Sequence, residues 1–459
     1  MTKFEQDLSK GSVFKKLIVF SIPFLLSNLI QSIYSVADMI IVGRFSGDEV
    51  LGTINMSGVN IGSQVTMLLT NAVFGLCVGA TVMIGQYLGS GQREKMRKTI
   101  GTLFTTLIFL GFGLTALMVF LRKPLLLLIR TPEDSFSASL DYFTITSFGI
   151  IFIFGYNALS AVMRGMGDSR RPLWFVAIAA VTNIILDLLL VGAFHMGSAG
   201  AAYATVASQA LSMLLCILYL TKNDFVFDFK ISSFKIDKAE LKTLLKVGIP
   251  NSVQNVATSI SFLFLTALVN GLGVAASAAV GAVGKFNGFA ILPGLAMSSA
   301  VSAMSAQNIG AGELKRAKKT TFLGTAIAIS ISLVIFIAAQ LFPETILAVF
   351  GGDPEMIAQG TEYLRIFSYD YLIAPILFCF NGLFIGSGHT VVSLCTGMIS
   401  SILVRIPAAW VFGVLMEMGL TGIGLGAPLA SFIALALSVI FFMTGRWKKL
   451  VILNHTPAE

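Results

Sequence analysis

The feature that most constrains this chain is a series of apolar stretches of about 20 or more residues, each long enough to cross a bilayer as a helix. Only 12% of the residues are charged, which leaves too little polar surface for a water-exposed protein of this length. Alternating ten-residue segments, which are typical of membrane barrels, are missing. The sequence therefore predicts an all-α polytopic membrane protein with twelve spans, approximately at 15–43, 53–88, 99–121, 138–163, 172–193, 198–221, 242–270, 274–307, 320–342, 359–386, 390–415 and 421–445.

The basic residues between the spans predict the orientation of the chain. If both termini are cytoplasmic, the inner segments contain 24 lysines and arginines and the outer segments contain 4. Such a bias is the positive-inside pattern of membrane proteins. We therefore expect a multi-pass protein of the cell membrane, surrounded by lipid, with both termini in the cytoplasm.

The chain also repeats itself at intervals of 221 to 227 residues. LIVFSIP at 17–23 matches LLKVGIP at 244–250, and GQYLGSG at 85–91 matches AQNIGAG at 306–312. Asp141-Tyr-Phe matches Glu362-Tyr-Leu in the same order. Two six-helix halves of like orientation predict two pseudo-symmetric bundles around an axis normal to the membrane. We place the N-terminal lobe at 1–228 and the C-terminal lobe at 229–459.

Several classes of protein are excluded by what the chain lacks. The net charge of +8 lies in short clusters between spans, so it does not indicate a nucleic-acid partner. Three unpaired histidines and no long loop leave no room for an enzyme active site, and we expect neither enzymatic activity nor a cofactor. A passive channel needs rings of polar residues along a pore, and these are missing. Of the functions considered, transport of small molecules is the one that fits these features.

Ionisable residues inside a membrane span are costly and are therefore candidates for function. Asp38 and Asp187 each lie five residues before a glycine, Gly43 and Gly192, near the predicted outer end of a span. At 1.5 Å per residue, both acids lie about 7–8 Å below that end. Matching depth in the same half predicts that the two carboxylates face each other.

Two more polar side chains reach the same depth. Asn183 lies one helical turn before Asp187, and Thr205 lies at a similar level on the next span. The oxygen atoms of these four side chains would form a cage of metal ligands that suits Na⁺. The same pair suits a proton, because close carboxylates resist double ionisation. The residues leave open whether the ion is H⁺ or Na⁺, and also whether the acids serve only helix packing.

At this point the chain resembles the multidrug and toxic compound extrusion family of prokaryotic cation-coupled antiporters. The resemblance covers nearly the whole chain and rests on SVADMIIVG at 35–43, MRGMGD at 163–168 and GAAYAT at 200–205. It implies a cation site in the N-terminal lobe formed by Asp38, Asn183, Asp187 and Thr205, with a backbone carbonyl near Ala201. It also implies substrate contacts at Gln31 and Asn157.

The resemblance implies a secondary active antiporter that exports cationic or amphipathic organic compounds and drugs by alternating access, with H⁺ or Na⁺ as the coupling ion. We expect a monomer. The alternative within transport is a flippase for lipid-linked precursors of the same superfamily. It is disfavoured because such proteins tend to have extra helices and a strongly cationic cavity, whereas only three basic residues lie in the spans here.

The C-terminal half departs from the family pattern. Some family members have acidic residues on helices seven and ten, but helix seven of this chain has none, and Asp370 does not match the expected spacing. Asp370 and Arg405 are candidates for a salt bridge, and Lys285 for binding an anionic group or a carboxylate. The sequence does not decide whether these three residues form a second functional site.

Overall fold

The computed structural model describes residues 4–223, 225–351 and 353–453. Within these ranges the regular structure is entirely helical, as the sequence predicts. The helices are not interrupted by a domain large enough to fold outside the membrane. Twelve long helical segments follow one another: α1 (Val13–Phe45), α2 (Glu49–Gly89), α3 (Arg93–Leu128), α4 (Glu133–Gly165), α5 (Arg170–Ala193), α6 (Gly197–Thr221), α7 (Lys238–Asn270), α8 (Val274–Gly310), α9 (Leu314–Leu341), α10 (Pro354–Phe367 and Asp370–Gly386), α11 (Thr390–Leu415) and α12 (Gly419–Met443).

Ten of these segments are individually long and apolar enough to cross a membrane, judged over the described part of the chain. The two parts of α10 pass that test together, with a bend of 43° between them. The remaining segment, α2, contains the shorter apolar helix Val73–Gly89. The predicted all-α membrane fold is therefore confirmed, and the span expected at 359–386 is α10, which is bent near Ser368.

Two helices change their hydrogen-bond pattern within the membrane. The last turn of α5, Leu188–Ala193, is a π-helix, and α11 contains two such segments, Ile399–Arg405 and Val411–Leu415. A π-helical turn inserts a residue relative to an α-helix and is frequent at functional sites. Every side chain beyond the insertion is therefore rotated relative to a regular helix.

Contacts between helices divide the chain into two compact units. The first contains residues 4–6, Leu26–Ile84 and Gln92–Leu245, and the second contains Asp7–Leu25, Gly85–Gly91 and the described residues from Lys246 onward. The predicted lobe boundary lies at 228 and 229, whereas the first unit continues to Leu245. Residues 229–245 belong to it because they pack on α3.

That packing explains why the polar connection between α6 and α7 is ordered. Phe227 and Phe234 contact the ring of Phe104 on α3 at centroid distances of 5.5 and 6.2 Å. The Thr99 hydroxyl donates a hydrogen bond to the Glu240 carboxylate at 2.9 Å. Aromatic burial of this kind adds to simple area burial, so the connection is part of the first unit.

In the second unit, small residues allow two helix ends to approach closely. A Cβ atom added to Gly89 would lie 2.2 Å from the Gln307 carbonyl oxygen, and one added to Gly310 would lie 2.2 Å from the Gln86 carbonyl oxygen. These glycines belong to the repeated segments 85–91 and 306–312. The repeat is therefore also a packing motif, in which each copy supplies the glycine that the other copy needs.

Candidate functional site

The two acids predicted to meet lie on α1 and α5 of the first unit. Asp38 is 7% exposed and Asp187 is fully buried. Their helices end at Phe45 and Ala193, within two residues of the glycines used to estimate depth. The carboxyl groups are close enough to interact electrostatically and to share a hydrogen bond when one of them is protonated.

Asp187 stands at a change of helix type. It is the last residue of the α-helical part of α5, and the π-helical turn begins at Leu188. Asn183, one turn earlier, is 1% exposed and lies on the buried face of the same helix. The amide of Asn183 and the carboxylate of Asp187 therefore lie on one face of α5, as predicted. The apolar residues that follow them form the π-helical turn.

Five polar atoms of this cluster are buried and have no hydrogen-bond partner among the described residues. They are Oδ1 of Asp38, both carboxylate oxygens of Asp187, and Oδ1 and Nδ2 of Asn183. Buried polar groups without partners are rare, and buried charges are costly unless they are paired. Unpaired oxygens of two acids and one amide fit a cation ligand, either a proton or Na⁺.

A tyrosine that the sequence analysis did not assign completes the cluster. Tyr142 of α4 is 5% exposed, and its hydroxyl lies near Thr205 and near both Asp38 and Asp187. Tyr34, one turn before Asp38 on α1, lies near that acid and near Gln209 of α6. The repeat marker Asp141-Tyr-Phe was the signal that could have identified Tyr142, because the tyrosine recurs at Tyr363.

The other two predicted cation ligands, Thr205 and Ala201, differ in how they relate to the acidic cluster. Thr205 belongs to the cluster through Tyr142. Ala201 is fully buried and packs in the apolar layer of Val42, Val59 and Val191 that lies beside it. Its carbonyl belongs to the regular helix α6, and its role as a ligand stays a prediction.

The two predicted substrate contacts are not brought into this cluster. Gln31 is exposed on α1, two turns before Asp38. Asn157 of α4 is half-buried, and its amide donates a hydrogen bond to the Ile153 carbonyl of its own helix at 2.8 Å. Their proposed role in substrate binding stays a prediction.

In the second unit, Asp370 and Arg405 are near each other but do not form the predicted close salt bridge. They interact electrostatically, yet the ion pairs within the described ranges do not include them. Lys285 is exposed on α8 and forms no such ion pair either. The described residues contain no cluster of three or more His, Cys, Asp or Glu suited to a metal.

Removing the Tyr142 hydroxyl gives the first prediction. Tyr142→Phe keeps the ring but deletes the hydroxyl that lies near Thr205 and the two acids, and a hydrogen bond from such a group is worth about 0.5–1.5 kcal/mol. We therefore expect ion-driven transport to fall roughly three- to tenfold, measured as initial rate in liposomes. Tyr203→Phe, on the exposed face of α6, is the matched control and should leave the rate unchanged. Equal rates for both variants would remove Tyr142 from the site.

Comparison with protein families matches the MatE family over residues 23–189 and 250–411, one block in each repeat. The chain is 31% identical over 446 residues to the probable multidrug resistance protein YpnP of Bacillus subtilis, with 96% of this chain and 97% of that protein aligned. It is 22% identical to the multidrug export protein MepA of Staphylococcus haemolyticus, over 90% of each chain.

Solved structures show the same fold. A crystal structure described as MATE in the bent conformation has a TM-score of 0.88 at 23% identity, with 99% of both chains aligned. The outward-facing structure of a multidrug resistance MATE family transporter of the MOP superfamily also has a TM-score of 0.88, at 22% identity, over 96% of this chain and 98% of that chain. The twelve-helix arrangement is therefore shared with these proteins.

Proposed function

Because the chain belongs to the MatE family, we propose that it is a secondary active antiporter that exports cationic or amphipathic organic compounds in exchange for H⁺ or Na⁺. The family makes it a multi-pass membrane transporter of the multidrug efflux type. Proteins named for multidrug resistance or export recur among its relatives. The coupling ion and the antiport mechanism are the new parts of the proposal.

The observation that carries the proposal is the buried pair of acids, of which three carboxylate oxygens have no hydrogen-bond partner among the described residues. Two ionised carboxylates out of water repel each other and lose their hydration, so a cation stabilises them strongly. Binding of H⁺ or Na⁺ from outside would therefore favour a state of α1 in which Asp38 and Asp187 are drawn together. Release of that ion to the inside would reverse the preference.

Coupling requires only that ion and substrate favour different states of the protein. A ligand can shift a conformational equilibrium by no more than its difference in affinity between the two states. We propose that the ion-bound state of α1 releases the organic compound outward and that the ion-free state accepts it from the cytoplasm. Gln31 and Asn157 are proposed as substrate contacts within this alternating-access cycle.

A gradient experiment tests the proposal and identifies the ion. The purified protein is reconstituted into liposomes loaded with ethidium, and either H⁺ or Na⁺ is raised outside. Since an antiporter admits the ion and expels the dye, we expect one of the two gradients to accelerate dye release several-fold over a gradient-free sample. Protein-free liposomes are the control. If neither gradient accelerates release, the chain is not an antiporter of this kind.

The orientation in the membrane that the charge bias predicts is also part of the proposal. We propose that both termini are cytoplasmic in the cell membrane and that the functional unit is a monomer without a nucleic-acid partner or cofactor. The flippase alternative is not favoured, because the relatives are named for multidrug resistance and the described part of the chain forms twelve long helical segments.

A further inference from the structure

The second unit contains a cavity of about 490 Å³ that the proposed ion coupling does not use. It lies among α7, α8, α10, α11 and α12, and all of its lining residues belong to that unit. Its volume is within the range of small-molecule sites. Gly281 and Gly284 on α8 face into it, and a Cβ atom added to either would meet no atom within 4 Å.

This cavity is the counterpart of the acidic cluster in the first unit. Positive φ angles recur 222 residues apart, at His195 (53°) and Glu417 (55°) and at Gly197 (55°) and Gly419 (57°). Both α5 and α11 end in a π-helical turn immediately before these residues. The same interval places Arg405 where the first unit has Asn183.

The chemistry at the two equivalent places is opposite in charge. By the same interval Ala409 stands where the first unit has Asp187. By the 227-residue interval that relates 17–23 to 244–250, Leu265 stands where it has Asp38. The acids are therefore replaced by apolar side chains and the amide by a guanidinium. A site with this composition is unsuited to a cation cage and suited to an anionic group.

The Arg405 guanidinium is arranged to receive such a group. Its carbon lies 5.0 Å from the centroid of the Phe262 ring, so the aromatic side chain covers one face. Nε and Nη1 are buried and have no hydrogen-bond partner among the described residues. Guanidinium N–H groups bind carboxylates through charge-assisted hydrogen bonds, and these two nitrogens, which lie on different edges of the group, each have a donor that a ligand carboxylate could use.

Asp370 provides the opposite charge in the same cavity. Its carboxylate lies near Ser431 and near Arg405, without a close ion pair to Arg405 among the described residues. Its Oδ1 is buried and has no hydrogen-bond partner in the described structure. A guanidinium and a carboxylate that are near but not paired match a ligand that carries both charges.

We propose that this cavity binds zwitterionic organic compounds, with the ligand carboxylate on Arg405 and the ligand cation near Asp370. Phe262, Phe367 and Phe378 line the same cavity and would contact the apolar body of the ligand. The inference goes beyond the proposed ion coupling, because binding at this site needs no ion gradient. It adds a site for a ligand carboxylate, a group that the acidic cluster of the first unit is not suited to bind.

The test uses two dyes that differ only in the carboxylate: tetramethylrhodamine and its methyl ester. Binding to the purified full-length protein is followed by fluorescence anisotropy without a gradient. Because a charge-assisted hydrogen bond to Arg405 is lost in the ester, we expect the free acid to bind roughly 10- to 100-fold more tightly. Arg405→Gln should remove this preference and leave ester binding unchanged. Arg365→Gln, an exposed arginine outside the cavity, should keep the preference.

A second variant keeps the test decisive if Arg405→Gln does not fold. Gly284→Leu fills the cavity from α8 without disturbing a buried charge, and we expect it to weaken binding of both dyes. An equal loss of both dyes in Arg405→Gln, or unchanged binding of both in Gly284→Leu, would overturn the proposal. Since no gradient is applied, this result is independent of whether the first unit couples transport to an ion.

Discussion

Asp187→Asn is expected to abolish the acceleration of dye efflux by an ion gradient. Asparagine has nearly the same shape as aspartate and retains hydrogen-bonding groups, but it has no charge to bind a cation and takes up no proton at neutral pH. Coupling free energies of about 1–3 kcal/mol correspond to roughly 5- to 150-fold changes. We therefore expect gradient-driven efflux from liposomes to fall several-fold, at the lower end of that range, to the rate without a gradient.

Asp141→Asn is the matched control for this change. Asp141 lies on α4 next to Tyr142, but it is exposed and does not join the acidic cluster. The same chemical change there should leave gradient-driven efflux intact. Dye binding without a gradient should persist in Asp187→Asn, which separates loss of coupling from loss of folding. Undiminished efflux in Asp187→Asn would refute ion coupling through the first unit.

The second large effect is expected on stability, at the turn between α4 and α5. Asp168 is 1% exposed and accepts hydrogen bonds from the backbone N–H groups of Arg170 and Arg171 at 3.1 and 3.2 Å. It also forms an ion pair with the Arg171 guanidinium, which lies 4.5 Å from the centroid of the Phe4 ring. One buried carboxylate thus joins the start of α5 to the N-terminal segment.

Asp168→Ala removes these interactions together and leaves Arg171 without its carboxylate. Breaking a buried ion pair from one side costs about 3–5 kcal/mol. We expect a clear decrease in the thermal unfolding midpoint of the detergent-solubilised protein. Glu94→Ala is the control, because Glu94 forms only an exposed ion pair with Lys98 and should change the free energy of unfolding by less than about 1 kcal/mol. Similar midpoints for the two variants would contradict this account.

The turn also shows how a sequence pattern acquires a physical meaning. The segment at 163–168 supports the resemblance to the family, but the sequence does not say what its aspartate does. In the structure Gly167 has a φ of 89°, in the left-handed region that favours glycine, and this conformation brings Asp168 under the first turn of α5. The motif is therefore a structural connection between two helices.

The acidic cluster was largely predictable because depth along a helix can be counted from the sequence. Asp38 and Asp187 were expected at one level, and they interact in the structure. Tyr142 was not predicted, although its level could also be counted. Which side of α4 faces the acids depends on how the helices pack, and that is a property of the tertiary structure.

Arg405 shows the opposite case. The sequence suggested a salt bridge to Asp370, since both are charged residues within spans of the same half. The structure instead places the guanidinium on Phe262 beside a cavity. The π-helical segment Ile399–Arg405 ends at this residue, and such an insertion changes the direction of the side chains around the helix axis without any clear signal in the sequence.

The sequence by itself determined the helical membrane fold, the internal repeat and the small set of polar side chains that a membrane span contains. It did so because lipid leaves the backbone few ways to satisfy its hydrogen bonds and makes every buried charge costly. Only the tertiary structure decided which of those side chains meet. Successive residues of a helix point about 100° apart, so bends and π turns select the partners that counting along the chain does not identify.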